Sequence, residues 1–236
     1  MTELQGIAGA VAAVQARIAA AAARAGRAAS DVRLVAVSKG QPAEAVRAAF
    51  AAGLRDFGEN KLQEAEEKIA ALSDLRAQGA RWHLVGHLQS NKARAAAALF
   101  DYVHSVDAAA LGPRLEQGAA RAGKVLPALV QVDLAGEESK FGIEQDRLMP
   151  ALDELRGSKS LRIVGLMLLP PYEEDPQRAR PFFRRLRALR DAALHENLLL
   201  GGELSMGMSH DFEVAIEEGA TMVRVGTALF GPRGKA

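Results

Sequence analysis

The sequence predicts an α/β protein in which eight parallel strands, each followed by a helix, close into a (β/α)₈ barrel. Short β-branched runs alternate with helical stretches along the chain, which favours a parallel sheet with helical crossovers. The length of 236 residues is close to the roughly 250 that such barrels usually need. A doubly wound open sheet is the alternative. It usually carries a glycine-rich turn after its first strand, whereas this chain has Ser38-Lys39-Gly40-Gln41-Pro42 there.

The elements can be placed one by one from the period of the apolar residues. The predicted strands are 33–38, 55–58, 82–86, 102–106, 126–134, 161–168, 203–206 and 222–226. The predicted helices are 43–52, 60–71, 90–99, 108–122, 145–156, 176–194 and 211–218. We find no linker, so residues 1–236 are expected to form one domain.

Residues 1–30 are expected to form a helical extension that packs on the barrel. Val11, Val14 and Ile18 recur at helical spacing in an alanine-rich stretch, and alanine has the highest helix propensity. Residues 7–30 superficially resemble a transit peptide, because they contain Arg17, Arg24 and Arg27 and no acidic residue. The amphipathic helix is the preferred interpretation.

The composition argues against several classes of protein. The net charge is +1, so no basic excess supports a nucleic-acid partner. There is no cysteine, which excludes disulfides and thiolate chemistry. No run approaches the roughly 18 apolar residues of a membrane span. We therefore expect a cytoplasmic protein with no membrane partner, and a monomer, because no strong exposed apolar patch is readable.

Lys39 ends the first strand, on the same face as Val35 and Val37. If that face points into the barrel, the amine lies at the barrel mouth above the apolar side chains of Val35 and Val37. Desolvation there would lower its pKa and favour the neutral nucleophile that Schiff-base formation requires. A solvated lysine at a strand end is the alternative.

Arg224 interrupts the apolar run Met222–Gly226 in the last strand. Charged residues in such runs are rarely buried without a partner. Since its neighbours would face the outer helices, Arg224 should face the lumen. There it could donate to a pyridine nitrogen, a carboxylate or a phosphate, or form an internal ion pair with an acidic residue of the barrel.

The last two strands end in turns of small residues, 205–209 and 226–227. Loops at these positions often bind phosphate in βα barrels. Ser209 could equally cap the helix that begins near Asp211. A lysine, a lumen-facing arginine and a phosphate site at one mouth together favour pyridoxal phosphate over a generic sugar-phosphate ligand.

A resemblance to a known family rests on eight segments that occur in order. They are AVSK (36–39), DFGEN (56–60), WHLVGHLQSNK (82–92), HSVD (104–107), GEESKFG (136–142), GLM (165–167), LSMGMS (204–209) and VRVGT (223–227). The chain resembles the pyridoxal phosphate homeostasis protein family from about residue 30 to 231.

The resemblance implies a TIM barrel of the alanine-racemase type (fold type III) without the C-terminal β-domain of that enzyme. It implies Lys39 as the Schiff-base lysine and Arg224 beside the pyridine nitrogen. It places the phosphate and the ring among five further residues. These are Ser209, Gly226 and Thr227 around the phosphate, with Asn60 and Ser205 near the ring or its hydroxyl.

The same resemblance implies a non-catalytic carrier or buffer of the cofactor in vitamin B6 and amino-acid homeostasis, which transiently meets apo-enzymes that use pyridoxal phosphate. Many members carry a second lysine two residues after the Schiff-base lysine, where this chain has Gln41. Lys140 keeps the place of another family lysine proposed to act in cofactor transfer.

Two enzymatic alternatives stay open. An amino-acid racemase needs an acid or base on each face of the substrate α-carbon. Lys39 could serve one face, and Tyr172 is the one tyrosine at the right end of the barrel, whereas Tyr102 begins a strand at the other end. Because the chain ends soon after the eighth strand, we expect no second domain to supply that group. The other alternative is a cofactor-free barrel enzyme that acts on a phosphorylated metabolite.

No metal site is expected: His83 and His87 are four residues apart around a strand end, a spacing that does not bring two ligands together. His104 is expected to be a hydrogen-bonded core residue.

Overall fold

In the computed structural model, which describes residues 3–136 and 141–231, eight parallel strands form a closed barrel. With a short ninth strand outside the ring, β6, the strands of the described residues are β1 (Arg33–Val37), β2 (Asp56–Glu59), β3 (Arg81–Leu84), β4 (Tyr102–Val106), β5 (Leu126–Asp133), β6 (Ile143–Glu144), β7 (Leu161–Met167), β8 (Glu203–Met208) and β9 (Met222–Val225). Around the barrel the order is β1, β2, β3, β4, β5, β7, β8 and β9, and β9 pairs with β1. The pairing of β4 with β5 completes the ring.

Helices follow the strands on the outside of the barrel. They are α1 (Glu3–Arg24), α2 (Ala43–Ala51), α3 (Leu62–Ala71), α4 (Ser73–Ala77), α5 (Ala93–Leu99), α6 (Gly112–Arg121), α7 (Leu148–Leu155), α8 (Arg180–His195), α9 (Phe212–Glu217) and α10 (Thr227–Phe230). Short 3₁₀ turns precede α5, α6, α7 and α8. The predicted barrel is therefore confirmed.

Every predicted strand is present, and the differences in bounds are small. The largest are at β3, which begins one residue before and ends two residues before the predicted 82–86, and at β8, which continues two residues beyond the predicted end at 206. The two-residue strand β6 was not predicted, because a segment so short has no readable period. It pairs with the end of β5 at Val132 and Asp133, and takes no part in the ring of eight.

Helix α1 packs on the barrel as expected, with Val11, Val14 and Ile18 all buried. Its C-terminal part is tied to α9 by two ion pairs, Arg17 with Glu213 at 2.7 Å and Arg24 with Glu217 at 2.8 Å. The expectation that no run approaches a membrane span was wrong, because one helix is long and apolar enough by length and composition alone. The 19 residues from Gly6 to Arg24 have a mean hydropathy of 1.5, and 33% of the stretch is buried. The many alanines raise the mean hydropathy of this stretch, although it contains few of the large apolar residues by which a membrane span is usually recognised.

The strands separate an apolar layer from a partly polar lumen. In β3, Trp82 and Leu84 belong to the core that packs under the helices, whereas His83 between them faces the opposite side. The register sets Val35 of β1 beside Asp56 on one side and Arg224 on the other. Polar side chains from different strands therefore meet inside the barrel.

Candidate functional site

A cavity of about 280 Å³ opens at the carboxyl ends of the strands. Active sites of βα barrels lie at this end. Its lining comprises Val37, Lys39, Asn60, Val85, Leu169, Met208, Ser209, His210, Arg224, Gly226 and Thr227. Six of the seven predicted cofactor-binding residues are in this set. None of the described lining residues is acidic, so Lys39 and Arg224 make the cavity suited to an anion.

Lys39 lies two residues beyond the end of β1 and lines the cavity beside Val37, the last residue of that strand. The backbone turns sharply here, because the amide of Gln41 donates to the carbonyl of Ser38 at 3.0 Å. Lys140, the other lysine singled out from the sequence, lies outside the described residues.

The backbone on both sides of Lys39 is held by a buried polar cluster. Lys68 of α3 donates to the carbonyl of Ser38 and to Oε1 of Glu59, each at 2.7 Å. The Ser38 hydroxyl donates to the same Glu59 oxygen at 2.7 Å. On the other side, the amide of Gly40 donates to Glu64, which also accepts from Lys68 at 3.0 Å. Lys68 thus connects both flanks of the candidate Schiff-base lysine.

Burial raises the pKa of Glu59, and this effect outweighs the opposing interactions with Lys68 and Ser38. Oε2 of Glu59 has no hydrogen-bond partner among the described residues. A fully buried carboxyl in this state depends on Lys68 to offset the loss of hydration. The sequence analysis missed this cluster, since Lys68 resembles an ordinary lysine on a surface helix.

Arg224 faces the lumen, as its position in the strand predicted, and only 4% of it is exposed. Its Nη1 donates to Oγ of Ser205 at 2.6 Å, and its Nη2 donates to the carbonyl of Leu168 at 2.8 Å. Burial lowers the pKa of Arg224 to about 10, and Asp211 opposes this shift. The guanidinium therefore stays charged at neutral pH, held by neutral acceptors. Within the described residues, no acidic side chain forms the internal ion pair considered above.

Ser205 is the predicted site residue that does not line the cavity. It is fully buried, and its hydroxyl lies between Arg224 and His104, 2.8 Å from Nδ1 of the histidine. The structure thus places Ser205 behind the guanidinium and not at the cavity wall.

The turns after β8 and β9 are joined through one hydroxyl. Oγ of Ser209 accepts hydrogen bonds from the amides of Gly226 at 3.2 Å and Ala228 at 3.3 Å. The alternative in which Ser209 caps the next helix is wrong, because α9 begins after Asp211 with no side-chain cap. Oδ1 of Asp211 instead accepts from the amide of Met208 at 2.6 Å. The hydroxyl proton of Ser209 can therefore be donated to a group in the cavity. The exposed Thr227 adds a second hydroxyl to the same wall.

Asn60 enters the cavity wall from the end of β2, next to a glycine of the following strand end. A Cβ atom added to Gly86 would collide with the backbone oxygen and Cα of Asn60. Close approach of the two chain segments therefore requires glycine at position 86. This contact holds Asn60 in the cavity wall next to the end of β1.

The histidines have separate roles. His83 is buried and bonded to Asp56 and His104, whereas Nδ1 of His87 lies 2.7 Å from Asp107 and its ring stacks on Phe141. His104 is fully buried, as expected. Over the ranges 3–136 and 141–231, no group of three or more metal-ligating side chains comes together.

Tyr172, the residue considered for racemisation, lies at the cavity end of the barrel and is 78% exposed. Its ring is 5.6 Å from that of His210, a cavity-lining residue whose Nε2 is 3.0 Å from the carbonyl oxygen of Glu174. Tyr102 lies at the other end, where its ring stacks on His83.

Comparison with known proteins gives a consistent result over nearly the whole chain. Residues 10–234 match the family model for the alanine racemase N-terminal domain. The pyridoxal phosphate homeostasis protein of Pseudomonas aeruginosa is 47% identical over 223 residues, which is 94% of each chain. The protein of the same name from Aquifex aeolicus is 42% identical over 217 residues, covering 92% of this chain and 94% of the relative.

Solved structures show the same fold. PipY of Synechococcus elongatus, with pyridoxal phosphate bound, is 42% identical and superimposes with a TM-score of 0.79 over 85% of this chain and 93% of its own. Alanine racemase of Corynebacterium glutamicum is 20% identical, with a TM-score of 0.70 over 97% of this chain and 62% of the racemase. The second comparison bears on the fold alone.

Proposed function

We propose, since the chain belongs to the pyridoxal phosphate homeostasis protein family, that its cavity binds pyridoxal phosphate as a Schiff base on Lys39. The observation that carries this proposal is the convergence of Lys39, Arg224 and Ser209 on one cavity whose described lining residues include no acid. The bound structure of PipY, at 42% identity, supports the same ligand.

The residues present fit this cofactor group by group. Its aldehyde needs a primary amine, which Lys39 supplies. Its phosphate needs N–H and O–H donors, and Ser209, Gly226 and Thr227 lie together on one wall. Its pyridine nitrogen can accept from the Arg224 guanidinium, and Asn60, which also lines the cavity, is available for the ring hydroxyl. Ser205 would act from behind Arg224.

We further propose that the protein is a carrier or buffer and not a catalyst. When bound, the cofactor supplies an electron sink whose strength depends on protonation of its ring nitrogen. Arg224 stays charged and can only donate, so it disfavours a proton on that nitrogen. A weak electron sink fits a protein that releases the cofactor to apo-enzymes without catalysing a reaction of its own. In this proposal the carrier is a cytoplasmic monomer.

A spectroscopic titration tests the binding proposal. Pyridoxal phosphate should give the wild type a saturable Schiff-base absorbance band, and Lys39→Ala should lose the band while keeping its circular dichroism spectrum. Lys92→Ala, which changes a lysine outside this cavity, is the matched control and should titrate like the wild type. A band of wild-type size in Lys39→Ala would refute the assignment.

The racemase remains the second candidate, because Tyr172 lies at the correct end of the barrel beside a cavity-lining residue. Loaded wild-type protein and Tyr172→Phe should be incubated with a panel of L-amino acids, followed by chiral separation. The carrier proposal predicts no D-isomer above the level given by free cofactor. Turnover by the wild type that falls in Tyr172→Phe would establish the racemase instead.

A further inference from the structure

A row of hydrogen bonds crosses the inside of the barrel from its amino-terminal end to Arg224. Oδ1 of Asp56 lies 2.9 Å from Nε2 of His83, and Nδ1 of His83 lies 2.9 Å from Nε2 of His104. Nδ1 of His104 lies 2.8 Å from Oγ of Ser205, which accepts from Nη1 of Arg224 at 2.6 Å. All five residues are buried.

The carboxylate end of this row fixes the direction of every hydrogen bond in it when both histidines are neutral. A guanidinium can only donate and an ionised carboxylate can only accept. His83 must therefore carry its proton on Nε2 and donate to Asp56, which leaves its Nδ1 as an acceptor. His104 must then carry its proton on Nε2 and donate to His83, so Ser205 gives its own proton to Nδ1 of His104 and accepts from Arg224. Each intermediate group then donates once and accepts once along the row, whereas the Arg224 end alone would leave Ser205 able to accept twice.

The charge states required by this arrangement agree with the surroundings of each group. Burial lowers the pKa of both His83 and His104, which keeps the rings neutral at pH 7. Burial would raise the pKa of Asp56, but its hydrogen bonds with His83 and Arg81 lower it overall, which keeps the carboxylate ionised. Arg81 reaches the second oxygen of Asp56 at 2.7 Å.

We infer that His104 is a positioning residue for Arg224, with its tautomer set by His83 and Asp56. By taking the Ser205 proton, His104 turns a Ser205 lone pair towards the guanidinium. Together with the Leu168 carbonyl, this acceptor fixes the orientation in which Arg224 faces the cavity. The inference rests on the proposed function insofar as Arg224 contacts the cofactor, but the proton arrangement belongs to the protein alone.

The proton arrangement can be measured without any ligand. Nitrogen-15 NMR of the histidine rings in the ligand-free wild type distinguishes the Nε2–H from the Nδ1–H tautomer. We expect Nε2–H for both His83 and His104. An Nδ1–H tautomer at His104 would overturn the inference, because Ser205 would then receive two N–H groups and have no acceptor for its own proton.

The effect on the cavity is tested by two variants of similar side-chain volume. In His104→Asn, the amide oxygen can take the place of Nδ1 and accept from Ser205, whereas His104→Leu offers no acceptor. We expect His104→Leu to weaken pyridoxal phosphate binding about fivefold, as for the loss of one hydrogen bond. His104→Asn should recover most of the affinity, although a buried, partly unsatisfied amide makes it the less stable of the two.

The affinity and the stability of the two variants are thus expected to rank in opposite orders. Affinity is measured by equilibrium dialysis and stability by urea unfolding. If the affinity follows the stability, or if His104→Leu binds like the wild type, the positioning role is refuted. If the wild type itself does not bind pyridoxal phosphate, the proposed function fails, while the NMR result still decides the tautomers.

Discussion

Nζ of Lys68 lies 2.7 Å from Oε1 of Glu59, and this buried ion pair sits directly behind the strand end that leads into Lys39. The same amine holds the Ser38 carbonyl, so a helix outside the barrel fixes the backbone next to the candidate nucleophile. The position of Lys39 therefore depends on a residue that does not line the cavity.

Lys68→Met should destabilise the protein by about 3–5 kcal/mol, because it leaves the buried Glu59 carboxylate without a counter-ion. Urea unfolding followed by circular dichroism measures the change. The double variant Glu59→Gln/Lys68→Met removes both charges and should regain a large part of the loss. Equal losses in the single and double variants would show that the charge of Glu59 is not what Lys68 compensates.

Arg224→Met should weaken pyridoxal phosphate binding about tenfold or more, since a charge-assisted hydrogen bond contributes roughly 1.5–3 kcal/mol. The Schiff-base band on Lys39 should still form at high ligand concentration. Arg33→Met is the matched control: this arginine begins β1, at the opposite end of the barrel from the cavity. Similar losses of affinity in both variants would contradict a direct contact between Arg224 and the ligand.

Ser209→Ala should weaken both pyridoxal phosphate and inorganic phosphate binding by roughly fivefold. The substitution removes a ligand donor and also the acceptor that joins the turns after β8 and β9. Isothermal titration calorimetry with each ligand measures the effect. Thr221→Ala removes a hydroxyl before β9, bonded to Leu204 and Glu203, and should leave both affinities unchanged. If Ser209→Ala weakened the binding of pyridoxal phosphate but not that of inorganic phosphate, the phosphate site would lie elsewhere.

The stability of the protein should fall as the pH drops below about 6.5, the ordinary pKa of histidine. Burial lowers the pKa of His83 and His104 in the folded state. The unfolded chain therefore binds protons first, and each histidine removes up to about 1.4 kcal/mol of unfolding free energy per pH unit. Glu59 and Asp211 oppose this trend, because burial raises the pKa of each carboxyl.

Urea unfolding of the wild type and of His104→Asn at pH 7.5 and 5.5 separates these effects. Both proteins keep the two carboxyls, so the difference between their pH dependences isolates His104. The variant should lose less stability on acidification than the wild type. Identical pH dependences would mean that His104 does not resist protonation in the folded protein.

The barrel could be predicted because strand and helix periods are local features of the sequence. The strand alternation also gave the direction of Arg224 correctly, since its apolar neighbours fix the outer face. Placement of Ser205 behind the guanidinium could not be predicted in the same way. It depends on how β8 and β9 are aligned, and their register shifts between Ser205 and Met208.

The two buried polar clusters depend on contacts between distant segments. Asp56 and His104 are 48 positions apart in the chain and meet through His83 inside the ring. One signal for this row was present: Asp56 and His83 each fall in a strand on the side opposite to large apolar neighbours. The Lys68 cluster offered no such signal, because its partners lie at strand ends where exposed and buried positions look alike.

The most direct test of the central claim is to locate the covalent attachment. The protein is saturated with pyridoxal phosphate, reduced with borohydride, digested, and mapped by mass spectrometry. The account predicts one dominant reduced adduct, on Lys39, which disappears in Lys39→Ala. Adducts spread over exposed lysines such as Lys61 and Lys92, with Lys39 no more modified than the others, would contradict it.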